Sequence, residues 1–229
     1  MRPVFAVLPD DVRFAWCDGD AVFLKAGDYV CVPRRHAVAL ADAIRGEPVV
    51  ETGAVLAELR EQGLLAWRDE PVFARAPTGI AASDLGDVAL CEPAGILDYT
   101  HLLIASLCVP LQLVRRRPEA WLRYLPPVAS RPRGTPEQLA RRFLRLRGFI
   151  PASGRCLPAS LLLINFLRLS GVAADLVIGV RTHPFEAHCW VETGGKVLND
   201  EIGYCRSFSP IFVWRGAARM DPDPAACGS

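Results

Sequence analysis

The stretch CLPASLLLINFLRLS, residues 156–170, predicts a long apolar helix in the second half of the chain. Apolar residues surround most of this predicted helix, and a helix of that kind is buried in a soluble protein. Pro158 falls in its first turn, where proline is tolerated, and Gly171 follows its end. Apolar runs come next at residues 174–180, 187–192, 196–198 and 208–213. A helix followed by several strands predicts a helix packed on an antiparallel sheet.

The first 70 residues predict a smaller α+β unit. Residues 14–16, 21–24 and 29–32 are short apolar runs separated by Gly-containing turns, a pattern typical of a strand meander. Helices are predicted at residues 35–44 and 52–62, followed by an apolar segment at 64–67. Thr52 is the expected N-cap of the second helix, and Gly63 is expected to cap its C-terminus.

The middle of the chain contains a predicted linker and two further helices. Residues 71–93 hold Pro, Gly, Ala and acids without periodicity, which is typical of a linker. An apolar helix is predicted at residues 97–107, and Pro110 is expected to kink or end it. Thr135 is placed to cap an amphipathic helix that runs to Gly148. We therefore predict three parts.

These parts are a small α+β domain at residues 1–72, a linker at 73–96 and a larger α+β domain at 97–229. The formal net charge of +1 conceals a division along the chain. Residues 1–100 carry 9 Lys/Arg and 16 Asp/Glu, whereas residues 101–150 carry 10 and 2. The hydrophobic fraction of 51% excludes a disordered chain. The charge division indicates differentiated parts.

Nucleic-acid binding is a weak interpretation of the arginine-rich segment at residues 115–147. Arginine clusters bind phosphates, but the acidic first hundred residues oppose such a partner. Aromatic residues are also sparse in the segment. We interpret these arginines as solvated helix faces or as a docking surface for the acidic unit or for a protein partner.

The sequence favours a cytoplasmic protein without a membrane span. The first apolar run is interrupted by Pro3 and Pro9, unlike the apolar centre of a secretory signal. The apolar stretch at residues 102–114 is about two-thirds of the ~20 residues that a bilayer requires. The eight cysteines lie far apart with no CxxC pair, which is typical of reduced thiols.

The strongest candidate site is Cys156, His188 and Asp200. The positive end of a helix dipole favours the thiolate of a cysteine at the helix start, and a neighbouring imidazole accepts its proton. The Gly194-Gly195 turn reverses the chain between the strand that carries His188 and the segment that carries Asp200. A carboxylate in that position orients the ring and supports the imidazolium.

Each of these residues alone is more often structural than catalytic, so the order of the three carries the hypothesis. A cysteine on a helix, a histidine on a strand and an aspartate after the next strand follow the topology of transglutaminase-like and papain-like thiol enzymes. A zinc site at His183, His188 and Cys189 is disfavoured because no second ligand pair has the usual spacing. His36 and His101 are interpreted as structural.

The chain resembles the lasso peptide maturation proteases, the B proteins of lasso peptide biosynthesis, over about residues 135–215. The resemblance lies in Cys156-Leu157-Pro158, Gly171-Val172-Ala173, residues 176–180, residues 184–192 (PFEAHCWVE) and Leu198-Asn199-Asp200. The first 70 residues are similar in pattern to the small PqqD-like (winged-helix-like) leader-recognition domain. The chain thus resembles the fused form, in which recognition domain and transglutaminase-like cysteine protease are joined.

The resemblance implies a leader peptidase that acts on a ribosomally made precursor peptide. Cys156 would attack the leader–core bond, His188 would transfer the proton, and Asp200 would hold His188. The leader would bind as an added strand. The expected leader-binding residues are Tyr29, Val30, Cys31, Val32, Val55 and Leu59, although plain core and sheet packing also explains some of them.

The resemblance also implies a partner, an ATP-dependent asparagine-synthetase-like cyclase that closes the macrolactam ring. We expect no cofactor on this chain, because it has no G-x-x-x-x-G-K-[ST] loop and ATP belongs to that partner. The arginine-rich segment is then a candidate surface for the cyclase. The alternatives are a thiol acyltransferase on the same fold and a non-catalytic peptide-binding adaptor.

One departure from papain-type proteases concerns the oxyanion donor. Those enzymes commonly place a glutamine a few residues before the nucleophile, but residues 151–155 are Pro-Ala-Ser-Gly-Arg. The backbone N–H of Cys156 can supply one donor. Ser153 and Arg155 are the candidates for the second.

Overall fold

The computed structural model describes residues 4–49, 53–70, 81–86, 93–114, 118–150 and 155–216. The strands are β1 (Phe5–Val7), β2 (Val12–Cys17), β3 (Asp20–Lys25), β4 (Asp28–Val32), β5 (Ala66–Arg68), β6 (Asp175–Arg181), β7 (Glu186–Thr193), β8 (Lys196–Val197) and β9 (Ser209–Trp214). The helices are α1 (Arg34–Ile44), α2 (Ala54–Glu61), α3 (Ile96–Leu113), α4 (Pro118–Leu122), α5 (Pro136–Leu146), α6 (Cys156–Leu169) and α7 (Ile202–Cys205). A 3-10 turn at Arg147–Phe149 follows α5.

The N-terminal unit is an antiparallel sheet in the order β2-β3-β4, covered on one face by α1 and α2. The predicted meander and both helices are present. The expected cap of α2 is shifted, because Gly53 occupies the N-cap position and Thr52 lies outside the described residues. Gly63 follows the helix with φ +66, the left-handed conformation that glycine adopts without a Cβ clash. The sequence did not predict β1, which pairs antiparallel with β5.

The opposite face of this sheet packs against the second half of the chain. Ala15, Cys17, Val22 and Leu24 belong to the same buried core as α6 and β9. Polar contacts reinforce the junction: the Cys17 thiol donates to the Val180 carbonyl over 3.2 Å, and His183 Nε2 lies 2.9 Å from Asp20 Oδ2. The three-stranded sheet is therefore enclosed between its own helices and the larger α+β part.

The larger part confirms the predicted helix on an antiparallel sheet. Its four strands follow the order β8-β7-β6-β9, and α6 packs on one face of them. Residues of α6 from Ala159 to Leu167 are buried without exception. This burial explains why the helix is apolar on every side. The other face of the sheet carries a smaller core that includes Val177, Trp190 and Phe208.

α3 continues through Pro110 to Leu113. Of the two expectations for this proline, an end or a kink, the end was therefore wrong. Gln112, two residues beyond the proline, is fully buried. Its amide exchanges hydrogen bonds of 3.2 and 3.0 Å with the amide of Asn165 on α6. This buried pair holds the last turn of α3 in place, which offsets the hydrogen bond that proline cannot donate.

One side of α3 packs on α6 through Leu102, Ala105 and Val109, and the other side is apolar and exposed. By length and composition alone α3 is the one described helix that could cross a membrane. These two criteria are also met by core helices of soluble proteins. The packed side of α3 attaches it to the core of the larger α+β part.

The predicted cap of α5 is confirmed, since the Gln138 N–H donates to Thr135 Oγ1 and Gln138 Oε1 accepts from the Thr135 N–H. Two arginines of the basic segment point inward instead of lying on a solvated face. Arg133 and Arg142 approach the buried carboxylate of Asp98 to 3.3 and 3.8 Å. Because a buried carboxylate needs partners, these cations are not free to bind phosphate.

Part of the expected linker, residues 81–86, packs against the larger α+β part. Ser83 bridges to Lys196 of β8, and the carboxylate of Asp84 accepts from the N–H of Ile202 over 2.8 Å. Asp84 therefore caps the first turn of α7, the short helix that follows Asp200.

Candidate active site

Cys156 begins α6 and lies half-buried beside His188. A hydrogen bond to the His188 ring lowers the pKa of the Cys156 thiol, although burial opposes the shift. Hydrogen bonds from the backbone N–H groups of Cys189 and Leu157 lower that pKa further. This environment stabilises the thiolate, which is the nucleophilic form of cysteine.

His188 connects the thiol to Asp200. Its Nε2 donates to Asp200 Oδ2 over 2.7 Å, which leaves Nδ1 as the ring nitrogen available to Cys156. Burial disfavours the charged ring, but the hydrogen bonds to Asp200 and Cys156 prevail and raise the pKa of His188 to about 11. The pKa of Asp200 is lowered, because its bonds to His188 and to the Glu201 N–H outweigh its partial burial. Both shifts favour the pair of thiolate and imidazolium over the neutral pair.

The site forms at the open edge of β7. On one side β7 pairs with β6 along Glu186 to Glu192, but on the other side β8 pairs only with Glu192 and Thr193. The N–H of Cys189 is therefore available to the sulfur of Cys156. The chain between β8 and α7 then returns Asp200 to the same edge.

A short polar network fixes the segment that carries Asp200. Asn199 Oδ1 accepts from the Val191 N–H over 2.8 Å, and Asn199 Nδ2 donates to Ser160 Oγ over 3.0 Å. Ser160 lies one turn after Cys156 on α6, and its hydroxyl donates to the Cys189 carbonyl over 2.9 Å. The network joins the helix, the strand and the aspartate segment. The sequence did not predict this network. The one signal for it was the position of Asn199 beside Asp200 in the motif Leu198-Asn199-Asp200.

Aromatic rings enclose the imidazole of His188. Trp190 stacks at a centroid distance of 5.8 Å and an angle of 21°, while Tyr204 and Phe208 approach at 5.0 and 5.1 Å. Gly179 faces His188 across the β6–β7 ladder. A Cβ at this glycine would lie 2.7 Å from Phe208 and 2.8 Å from Trp190, so only glycine leaves room for both rings. Alternation along β7 was the signal for Trp190, which shares the face of His188.

Cys205 is a second, buried thiol beside the histidine. One ligand atom each from His188, Asp200 and Cys205 lies within 4.8 Å of the others, a spacing that could hold a metal ion. Burial raises the pKa of the Cys205 thiol and keeps it protonated. His183 and Cys189, which the sequence analysis considered with His188, are placed apart from this group: His183 pairs with Asp20, and Cys189 faces α6.

The candidates for the second oxyanion donor receive no support from their placement. Ser153 lies outside the described residues, and Arg155 is an exposed residue at the N-cap of α6. The first candidate, the backbone N–H of Cys156, stands at the helix start as expected.

Five of the six expected leader-binding residues surround one cleft of about 260 Å³ between β4 and α2. The cleft is lined by Val30, Cys31, Val32, Pro33, His36, Val55, Glu58, Leu59 and Gln62. β4 is the edge strand of its sheet, so its outer backbone groups face this cleft. The sixth residue, Tyr29, does not line the cleft and packs against the core of the larger α+β part instead.

Comparison with known proteins gives a match within the second half of the chain. Residues 105–213 match the model of the transglutaminase-like superfamily, a segment that contains Cys156, His188 and Asp200. No solved structure gives a significant match to the chain.

A more particular similarity is to the Microcin J25-processing protein McjB of Escherichia coli, with 53% identity over 45 residues. This match covers 20% of the present chain and 22% of the E. coli protein. Together the two matches confirm the resemblance to transglutaminase-like lasso peptide processing proteins within the segments they cover.

Proposed function

We propose that this protein is a cysteine peptidase that removes the leader from a ribosomally made lasso peptide precursor in the cytoplasm. The observation that carries the proposal is the hydrogen-bonded series Cys156, His188 and Asp200 at the start of a buried helix. The similarity to a microcin-processing protein supports a peptide substrate.

The first half-reaction forms a thioester. The Cys156 thiolate adds to the carbonyl carbon of the leader–core bond while the N–H at the start of α6 donates to the developing oxyanion. The imidazolium of His188 gives its proton to the nitrogen of the core, and the C–N bond breaks. Asp200 keeps the ring oriented throughout.

The second half-reaction releases the leader. Neutral His188 takes a proton from water as the hydroxide adds to the thioester carbonyl, and the C–S bond then breaks. The leader leaves with a free carboxylate, and the core keeps a free amine. An ATP-dependent cyclase, the proposed partner, would consume that amine in ring closure.

The cleft between β4 and α2 is the proposed leader site. An extended peptide can pair with the free edge of β4, and the apolar side chains of Val55 and Leu59 would contact its inward residues. Because β4 belongs to a sheet that shares its core with α6, a leader bound there is held close to the peptidase part.

The test is the mass of the products after the protein is mixed with a leader-bearing precursor and the cyclase. We expect leader with a free carboxylate, together with the free core or its ring-closed product, and no cleavage with Cys156→Ala. An intact precursor with the wild-type protein would refute the proposal. A leader joined through its terminal carbonyl to another amine, in place of a free carboxylate, would instead identify a thiol acyltransferase, and full cleavage by Cys156→Ala would identify a peptide-binding adaptor.

A further inference from the structure

Tyr29 is an N-terminal residue that reaches the catalytic half of the molecule. It lies on β4 beside Val30, which lines the cleft, but Tyr29 itself packs against the core of the larger α+β part. Its ring lies 5.5 Å from that of Phe185, three residues before His188. Tyr29 packs against the same core as Cys156 and Leu157, the first residues of α6.

The Tyr29 hydroxyl has no hydrogen-bond partner among the described residues, although the side chain is half-buried. Burial raises the pKa of Tyr29 to about 12, and the nearby thiols of Cys189 and Cys156 contribute to the rise. The phenol therefore remains protonated near neutral pH and keeps its hydrogen available for donation. The hydroxyl is not one of the fully buried, unpartnered side-chain atoms of the described residues, so it is open to solvent and to a bound substrate.

The proposed reaction needs a second hydrogen-bond donor to the oxyanion near Cys156. Addition of a thiolate to a peptide carbonyl places negative charge on the oxygen, and such sites generally supply two donors to it. The backbone N–H of Cys156 is one. Arg155, the other candidate within the described residues, is exposed.

We propose that Tyr29, supplied by the N-terminal unit, donates its phenolic hydrogen to the carbonyl oxygen that Cys156 attacks. The proposal deepens the peptidase function proposed above, because it adds a catalytic residue to that site. The proton stays on the phenol, and the hydrogen bond strengthens as the oxygen becomes negative. The strand that would hold the leader would then also complete the oxyanion site.

The test compares two reagents on the same thiol. p-Nitrophenyl acetate acylates Cys156 through a tetrahedral oxyanion, whereas iodoacetamide alkylates it by displacement, which forms no oxyanion. Trypsin releases residues 156–168 as a peptide with a single cysteine, so each rate can be followed by mass at Cys156 alone. The variant is Tyr29→Phe, which keeps the ring packed on Phe185. The control is Tyr99→Phe, at an exposed tyrosine of α3.

We expect Tyr29→Phe to slow acylation by roughly 10²-fold, the loss typical of a single oxyanion donor, and to leave alkylation unchanged. Tyr99→Phe should match the wild type in both reactions. Equal acylation by Tyr29→Phe and wild type would overturn the proposal, as would an equal loss in both reactions, which would indicate packing alone. Neither reagent requires a leader, so failure of the peptidase function would appear separately as an uncleaved precursor.

Discussion

The substitution Asn199→Ala tests whether the network behind Asp200 positions the triad. It removes the bond from the Val191 N–H over 2.8 Å and the bond to Ser160 Oγ over 3.0 Å. Val191 is buried, so its N–H is left without a partner at a cost of about 1–3 kcal/mol, and the lost bond to Ser160 adds about 1 kcal/mol. We therefore expect the free energy of unfolding to fall by about 2–4 kcal/mol.

Activity should fall as well, because the segment that carries Asp200 loses its attachment to α6 and β7. Ser160→Ala is the comparison variant: it removes the bond to Asn199 and the bond to the Cys189 carbonyl, but it keeps the bond between Asn199 and the Val191 N–H. We expect it to cost less in turnover, because the segment that carries Asp200 stays attached to β7.

The assay combines urea unfolding with precursor cleavage, performed on the two single variants and on the double variant. We expect the double variant to be less destabilised than the sum of the two single variants, because they share a hydrogen bond. If the losses in free energy of unfolding of the two single variants simply added in the double variant, the two residues would not be coupled. An Asn199→Ala protein as stable and active as the wild type would likewise show that this network does not position Asp200.

Three further predictions concern charge, packing and leader binding. The rate of cleavage should depend on pH with a bell-shaped profile. It should fall in acid, where the Cys156 thiolate gains a proton below its lowered pKa, and in alkali, where His188 loses its proton near its pKa of about 11. A rate independent of pH from 5 to 12 would exclude the ion pair. Gly179→Ala should lower the free energy of unfolding by about 1–3 kcal/mol in urea, because its Cβ would overlap Phe208 and Trp190. Gly148→Ala, where a Cβ meets nothing within 4 Å, should change it little, and equal effects of the two variants would contradict the packing argument. Val55→Arg should raise the dissociation constant of the leader, measured by fluorescence anisotropy, at least tenfold. Val38→Arg, on the exposed side of α1, should leave it unchanged. Equal binding of the leader to both variants would show that the leader does not use the cleft.

Local signals in the sequence predicted much of this structure. The cap of α5 depends on Thr135 and Gln138, three residues apart, and strand alternation placed Trp190 beside His188. The order of Cys156, His188 and Asp200 was sufficient to expect the site, because a helix followed by a hairpin has few ways to pack.

Contacts between distant residues were not predictable in the same way. The continuation of α3 past Pro110 depends on the pairing of Gln112 with Asn165, 53 residues later. The role of Tyr29 depends on the face of β4 that meets the catalytic half, and strand alternation does not say which face that is. These contacts arise only when the two halves of the chain share a core.

If Cys156 carries the leader as a thioester, the acyl-enzyme should be visible in an acid-quenched intact mass taken during turnover of the precursor. We expect a species with the mass of protein plus leader minus water, located on the tryptic peptide 156–168 and absent from Cys156→Ala. Leader released at the full rate with no adduct on that peptide, and with Cys156→Ala equally active, would contradict this expectation.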